Sequence, residues 1–299
     1  MRRTFVVLAA VLVLTGAFAA AGSGGGGQAS SPGVLTQVNE QLAAMGLNIR
    51  AEQIEFFTIG QSRPSNRVHG QEFRWVPNDP RRTWGQGTDI TYLVDGSDGR
   101  TASGLTSAQT EAAIDRSLDT WDAEDCMSEV DIVERADPGR DPDFFDSLFG
   151  FGQAGGTFAD ITEAGWLPRD FFEAVGGPGG GRGILAFSVS FIFVEDDGET
   201  PTDINGDNRL DTALNEVYYN DTFGDRRDDR AGNPWGIDVA LPGIDVETVA
   251  LHENGHSLGL GHFGPPPDAV MNPVYAGINH EPDSADRSGL CAVWSSWPN

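Results

Sequence analysis

The sequence contains no lysine: all nineteen of its basic residues are arginine, set against 45 acidic residues, and the formal net charge is −26. So acidic a surface repels phosphodiester backbones and anionic headgroups, which argues against nucleic acid or membrane as a partner and favours cations. Salt would screen the self-repulsion of such a chain, although the base composition of a genome could produce the same lysine-free bias. Long apolar runs are missing as well. After the first residues no segment approaches eighteen apolar positions, which excludes a conventional spanning helix there. There are only two cysteines, Cys126 and Cys291, and neither has zinc-finger spacing. Histidine is scarce too, at five in 299 residues, so any clustering of it carries information.

Clustering is what the sequence shows. Three of the five histidines fall within His252-Glu253-Asn254-Gly255-His256-Ser257-Leu258-Gly259-Leu260-Gly261-His262. With this composition the pattern His-Glu-x-x-His-x-x-Gly-x-x-His would arise by chance with a probability on the order of 10⁻⁵, so it is read as a site. Residues four apart share a helix face, which lets His252 and His256 bind one ion. His262, six residues on, would lie roughly 9 Å further along a continuing helix, so the chain has to turn back. Gly259 can make that turn, because a residue without a Cβ enters the left-handed region at little cost. Three neutral imidazoles on a tetrahedral Zn²⁺ leave a fourth position open, the catalytic and not the structural arrangement. Glu253 is then the expected base for a metal-activated water.

At these residues the chain resembles the matrixins, within the metzincin clan of zinc endopeptidases. Val249-Ala250-Leu251 is similar to the approach to the matrixin zinc helix, and Val270-Met271-Asn272-Pro273-Val274-Tyr275 resembles the Met-turn and the Pro-x-Tyr segment after it. The resemblance implies that Met271 lies beneath the metal and that Pro273 and Tyr275 wall a substrate pocket. Ile90-Thr91-Tyr92 resembles the family's opening strand, and Asp286-Arg287-Ser288-Gly289-Leu290 its closing helix. Gly183-Ile184-Leu185-Ala186 resembles the edge strand on which matrixins pair an extended substrate, making Leu185 and Ala186 substrate-binding candidates; an ordinary central strand is the alternative. Two family devices are missing. No cysteine precedes Cys126 to occupy a zinc as a matrixin propeptide does, and no histidine lies between His69 and His252 to hold the family's structural zinc.

The rest of the chain divides by composition. Residues 1–21 read as a secretory signal, with Arg2-Arg3 before an apolar run to Leu14 and small residues at Ala17 to Ala21. The arginine pair also fits a twin-arginine export signal. Residues 22–33 form a Gly/Ser-rich tether. The region 34–84 is an N-terminal extension or propeptide, with a short helix (Val34, Leu35, Val38, Leu42, Met45) and strands at 54–59 and 73–76 separated by a polar loop holding Pro64 and His69. Residues 85–299 are the expected catalytic domain. Within it, Thr106 and Gln109 cap a helix whose Ile114, Leu118 and Trp121 share a face, and strands are expected at 130–133, 158–161, 183–195 and 216–221. Asp245 is the expected cap of the zinc helix. Residues 136–156 form a Phe-, Gly- and Asp-rich insertion without a family counterpart. In a secreted chain the even cysteine pair, Cys126 and Cys291, forms either a disulfide or two free buried thiols. Asp203, Asn205, Asp207 and Asp211 match part of a Ca²⁺-binding loop, but Asn208 replaces its glycine and Leu214 its last glutamate, so a solvated acidic turn is the alternative.

The expectation is therefore an α/β (α+β) metzincin-like domain, with a twisted mixed sheet, two long helices and a small C-terminal part. Its expected work is that of a secreted zinc endopeptidase acting on protein or peptide substrates, with Zn²⁺ as catalytic cofactor and Ca²⁺ as a possible second ion, without nucleic acid or membrane insertion. The sequence carries no sign of oligomeric state. A secreted binding or surface protein that keeps the zinc site structurally, and hydrolysis of a non-peptide amide, are the alternatives.

Overall fold

The computed structural model describes residues 33–63, 66–67, 73–82, 87–152, 155–264 and 268–298; the signal and nearly all of the tether, Pro64 and His69 lie outside them. The strands are β1 (Ile49–Thr58), β2 (Asn66–Arg67), β3 (Phe73–Arg74), β4 (Ile90–Val94), β5 (Ile132–Glu134), β6 (Ile161–Leu167), β7 (Ile184–Phe193), β8 (Leu210–Asn220), β9 (Trp235–Gly236) and β10 (Ile244–Asp245). The helices are α1 (Gly33–Ala44), α2 (Ser107–Asp122), α3 (Arg169–Gly176), α4 (Gly180–Gly183), α5 (Val246–Ser257) and α6 (Ser284–Trp294).

One mixed sheet runs β2-β1-β7-β8-β6-β4-β5, with β3 added beside β8. The half from β8 to β5 is parallel, while β8-β7, β7-β1 and β1-β2 are antiparallel. This is the α/β architecture of a matrixin-type domain. The N-terminal extension is not a separate layer, because β1 lies in the main sheet. Its ladder with β7 runs from Ile49↔Phe193 to Thr58↔Ile184.

That pairing corrects the edge-strand expectation. β7 is flanked by β1 and β8, so Leu185 and Ala186 sit fully buried inside the sheet and their backbone is not open to an incoming strand. The side chains of β7 do not alternate strictly from Leu185 onward. A register irregularity opposite Phe57 and Thr58 turns Leu185 to the α2–α5 side, whereas Ile184, Phe187, Val189, Phe191 and Phe193 face the other way. β1 and β8 also begin earlier than their sequence cores, at Ile49 and Leu210, because buried polar residues such as Gln53, Asp211 and Asn215 interrupt the apolar pattern without interrupting the ladder.

Two apolar cores flank the sheet. One joins it to α2, α5 and α6 through Ile114, Leu118, Trp121, Leu251, Leu290 and Trp294; the Trp121 indole donates to Leu251 O at 2.9 Å and locks α2 to α5. At the start of α2 the Gln109 side chain accepts from Thr106 N at 3.1 Å, satisfying one orphan donor of the helix terminus. Cys126, just past α2, is bonded to Cys291 in α6, with Cα atoms 5.3 Å apart.

The opposite core takes in α1, α3 and the insertion at 136–156. Phe145 and Phe149 of the insertion pack on Phe171, and Phe145 also meets Phe187 and Tyr218. The insertion is thus a plug for the second face. It brings carboxyls inside with it. Phe144 N and Phe145 N donate to Glu216, and the Tyr218 hydroxyl reaches Glu216 at 2.8 Å and Asp143 at 3.1 Å. One phenol proton cannot serve both acids, so a proton retained by Asp143 completes the network. Burial and the neighbouring Asp146 and Asp141 push Asp143 far above the usual carboxylate range, and burial with Asp143 pushes Glu216 to about 8.

The unfolded chain ionises such groups near pH ~4 while the folded chain keeps their protons, so stability is lost as pH rises from the ordinary carboxylate range towards the raised folded values. Asp143→Asn keeps the shape and a donor for Tyr218 without an ionisable proton. Thermal melts at pH 5 and pH 8 should show a smaller drop in Tm for the variant than for the parent. Equal drops would place the pH dependence elsewhere.

Candidate metal centre

The site is assembled at the C-terminal half of α5. Asp245 caps this helix by accepting from Thr248 N at 2.9 Å, and His280 Nε2 lies 2.7 Å from the same carboxylate. All twelve residues of α5 are buried, which explains why its sequence carries little amphipathic signal. The helix ends at Ser257. Gly259 then takes φ +91°, and Leu260 N donates back to Gly255 O at 3.0 Å. A Cβ on Gly259 would also crowd Phe73 O at 2.9 Å. This turn returns His262 to the two helical histidines.

The three Nε2 atoms converge at 3.1–3.2 Å from one another. Each Nδ1 is committed elsewhere: His252 to Val270 O at 2.7 Å, His256 to Leu260 O at 2.9 Å, and His262 to Glu55 Oε2 at 3.2 Å. Nδ1 is therefore the donor, and the Nε2 lone pairs face one another. Lone pairs so close repel unless a proton or cation lies between them. Nitrogens ~2.0–2.1 Å from a tetrahedral zinc would stand ~3.3 Å apart, so the donor set fits that ion. His252 and His256 are fully buried, and burial, then the other two rings, holds His252 well below the usual imidazole range. Glu253 is fully buried beside them. Burial, then Glu55 and Glu163, raises its carboxyl well above the usual range, opposed by the Ser188 hydroxyl and Phe57 N–H.

Met271 lies directly under α5. Its N–H donates to Asp286 Oδ1 at 3.1 Å and Val270 N–H to Asp286 Oδ2 at 2.7 Å, so one buried carboxylate of α6 fixes the turn that supplies the acceptor for His252. Pro273 and Tyr275 line the same side. Pro273 O accepts from Thr58 N and Oγ1, Tyr275 N donates to Thr58 O at 2.8 Å, and the Phe57 ring stacks on His252 with centroids 3.8 Å apart.

The contributions of Glu55, Phe57 and Asp286 were not legible as site residues. Asp286 had a signal in its place in the closing-helix pattern, whereas Glu55 and Phe57 read only as strand. The acidic loop is arranged differently from the calcium expectation. Asp203 accepts from Asp207 N and Asn208 N, Asn205 donates to Asp207, Asp207 pairs with buried Arg74, and Asp211 pairs with Arg81 and accepts from Thr202. Guanidinium groups neutralise Asp207 and Asp211, and Asp203, Asp207 and Asp211 do not converge on one point among the described residues. Through Arg74, which also donates to Val293 O and Ser296, the loop anchors the end of α6.

The convergent histidine triad is a donor set that could hold one metal ion. Over residues 187–295 the chain matches the family model for matrixin, and it is matrixin-like there. It is 41% identical over 61 residues to matrix metalloproteinase-25 of Homo sapiens, covering 19% of this chain and 11% of that protein, and 45% identical over 53 residues to its Mus musculus counterpart, covering 16% and 8%. The chain thus spans only a small part of the length of these relatives. No helix among the described residues is long and apolar enough to cross a membrane.

Two substitutions test this packing. A Cβ at position 255 would collide with Met271 Sδ and press on Trp121 at 3.1 Å, so Gly255→Ala should cost roughly 1–3 kcal/mol by overpacking and weaken zinc retention in dialysis. An unchanged Tm would mean that Met271 yields freely. Asp207→Ala removes the carboxylate partner of buried Arg74 and should cost about 3 kcal/mol in urea unfolding. A loss below about 0.5 kcal/mol would show that the Val293 and Ser296 bonds suffice.

Proposed function

We propose that this chain is a secreted zinc-dependent endopeptidase. The observation that carries the reading is the convergence of three Nε2 lone pairs beside a buried glutamate one residue from the first of them. In this reading His252, His256 and His262 hold the ion, and Gly259 and Met271 shape its support. Bound zinc polarises the scissile carbonyl, makes water a stronger acid and offsets the cost of a charged Glu253 in the interior. A Glu253 carboxylate oxygen takes the proton of the attacking water and passes it to the departing amine. Pro273 and Tyr275 wall the substrate pocket in this reading; Pro273 O and Tyr275 N pair with Thr58 here and would hold an extended peptide by main-chain hydrogen bonds only in its place. Residues 85–299 form the catalytic portion, while 1–21 direct export and 22–33 tether the remainder. We assign no calcium step to the 203–211 loop, since Ca²⁺ there would have to displace Arg74 and Arg81.

The competing reading is a secreted surface protein that keeps the site for structure alone. Glu253 separates the two, because a purely structural triad has no need of a buried carboxylate aligned with it. Glu253→Gln keeps shape and histidines and should retain zinc while losing ~10²- to 10⁴-fold in casein turnover; His256→Ala should lose both metal and turnover. Parent-like turnover by Glu253→Gln would remove the general-base assignment. A zinc-loaded parent that remains inert in every processed form would favour the structural reading.

A further inference from the structure

The centre just described is closed by the chain itself. β1 lies in a slot with β7 antiparallel to it on one side; on the other side β2 pairs with Gln53 and Ile54, and residues 273–275 run parallel to its end through Thr58↔Val274. Its side chains alternate between the two cores. Ile54 and Phe56 face α1, whereas Phe57 stacks on His252 and meets the Tyr275 ring, and Glu55 reaches His262. Of the three imidazoles only His262 reaches the surface, with 16% of its side chain exposed. A peptide whose carbonyl is to meet the three Nε2 atoms and Glu253 would have to lie where residues 55–58 lie.

We propose that residues 49–58 are an intrachain surrogate for the substrate: a strand that occupies the peptide-binding slot and must leave, carrying α1 with it, before the centre can work. The identity of the displaced-for ligand as a peptide rests on the endopeptidase reading, but the occlusion itself does not. Three observations support the exchange. The slot supplies unpaired main-chain partners on both sides once β1 is gone, the requirement for strand addition. α1 is held to the body by its own strand and by a single apolar face, Val34, Leu35, Val38 and Leu42, so helix and strand form one removable unit. The chain leaves β1 through Gly60 into exposed Gln61 and Ser62, where a cut separates that unit from the rest. No cysteine stands in this region, so the block is made by main-chain pairing and the Phe57 ring, not by a thiolate. The slot also states its preference. It takes an extended peptide with a flat aromatic side chain at the position of Phe57 and a small β-branched residue after it.

The test uses the full zinc-loaded chain with the recognition sequence of a specific protease placed at 60–62, assayed before and after cutting, with both pieces present. A fluorescent hydroxamate reports access to the metal, and casein hydrolysis reports activity. Both should be low in the intact chain and rise at least tenfold after the cut. Excess synthetic peptide spanning 49–59 should return both to the intact level, and the same peptide with Phe57→Ala should need at least tenfold more. Equal hydroxamate binding before and after the cut overturns the proposal. A rise in hydroxamate binding without casein hydrolysis upholds the occlusion and overturns the endopeptidase reading. Should the cut chain precipitate, Phe57→Ala in the uncut chain decides: faster hydroxamate association supports the proposal, and an unchanged rate overturns it.

Discussion

Everything at the centre depends on holding three imidazole lone pairs within 3.2 Å of one another against their mutual repulsion. No side chain does this alone. Two of the rings are oriented from behind by backbone carbonyls, Val270 O and Leu260 O, and those carbonyls are themselves placed by the Asp286 carboxylate and by the left-handed turn at Gly259. The last helix and the first turn after α5 therefore belong to the site as much as the histidines do. Fixing the outer nitrogen in this way sets both the tautomer and the direction of the inner one.

How much of this could be read from the sequence follows from how local each interaction is. The histidine spacing, the Gly259 turn, the Asp245 cap and the α2 face all act within a few residues, and periodicity or capping chemistry reveals them. The fold class was legible for the same reason, through the strand and helix patterns around the motif. Partners contributed from afar were not. Glu55 lies about two hundred residues before His262, and nothing in its neighbourhood distinguishes it from a strand residue whose side chain faces solvent. The same holds for the acidic loop. Its spacing resembled an ion-binding loop, but the cations it meets are Arg74 and Arg81, brought in by β3 and the turn after it. Leu185 and Ala186 show the limit most clearly, because whether a strand is an edge depends on what pairs beside it, and here that is a segment more than a hundred residues earlier.

A chain with net charge −26 has to place many carboxylates, and the structure puts several of them inside. They are treated in two ways. Asp160, Asp207 and Asp211 meet arginines, so that three of the nineteen arginines go to buried or partly buried pairs. Glu163, Glu216 and Asp143 meet hydroxyls and N–H groups instead, and their pKa values rise; Glu163, bonded by Tyr219 at 2.6 Å, is pushed to about 7. Paired carboxylates anchor loops to the body, and burial keeps the others closer to their neutral form.

The bond between Cys126 and Cys291 gives the molecule a lopsided vulnerability. It joins residues 165 positions apart into a covalent ring that contains α5, the turn at Met271 and strands β5 to β8 of the sheet. One scission of the backbone anywhere inside that ring leaves both ends attached, so the part it encloses cannot be shed in pieces by a single hit. The stretch before Cys126 has no such tether. In a milieu of proteases the larger piece that one cut can free is thus drawn from the N-terminal side, the side that covers the histidines.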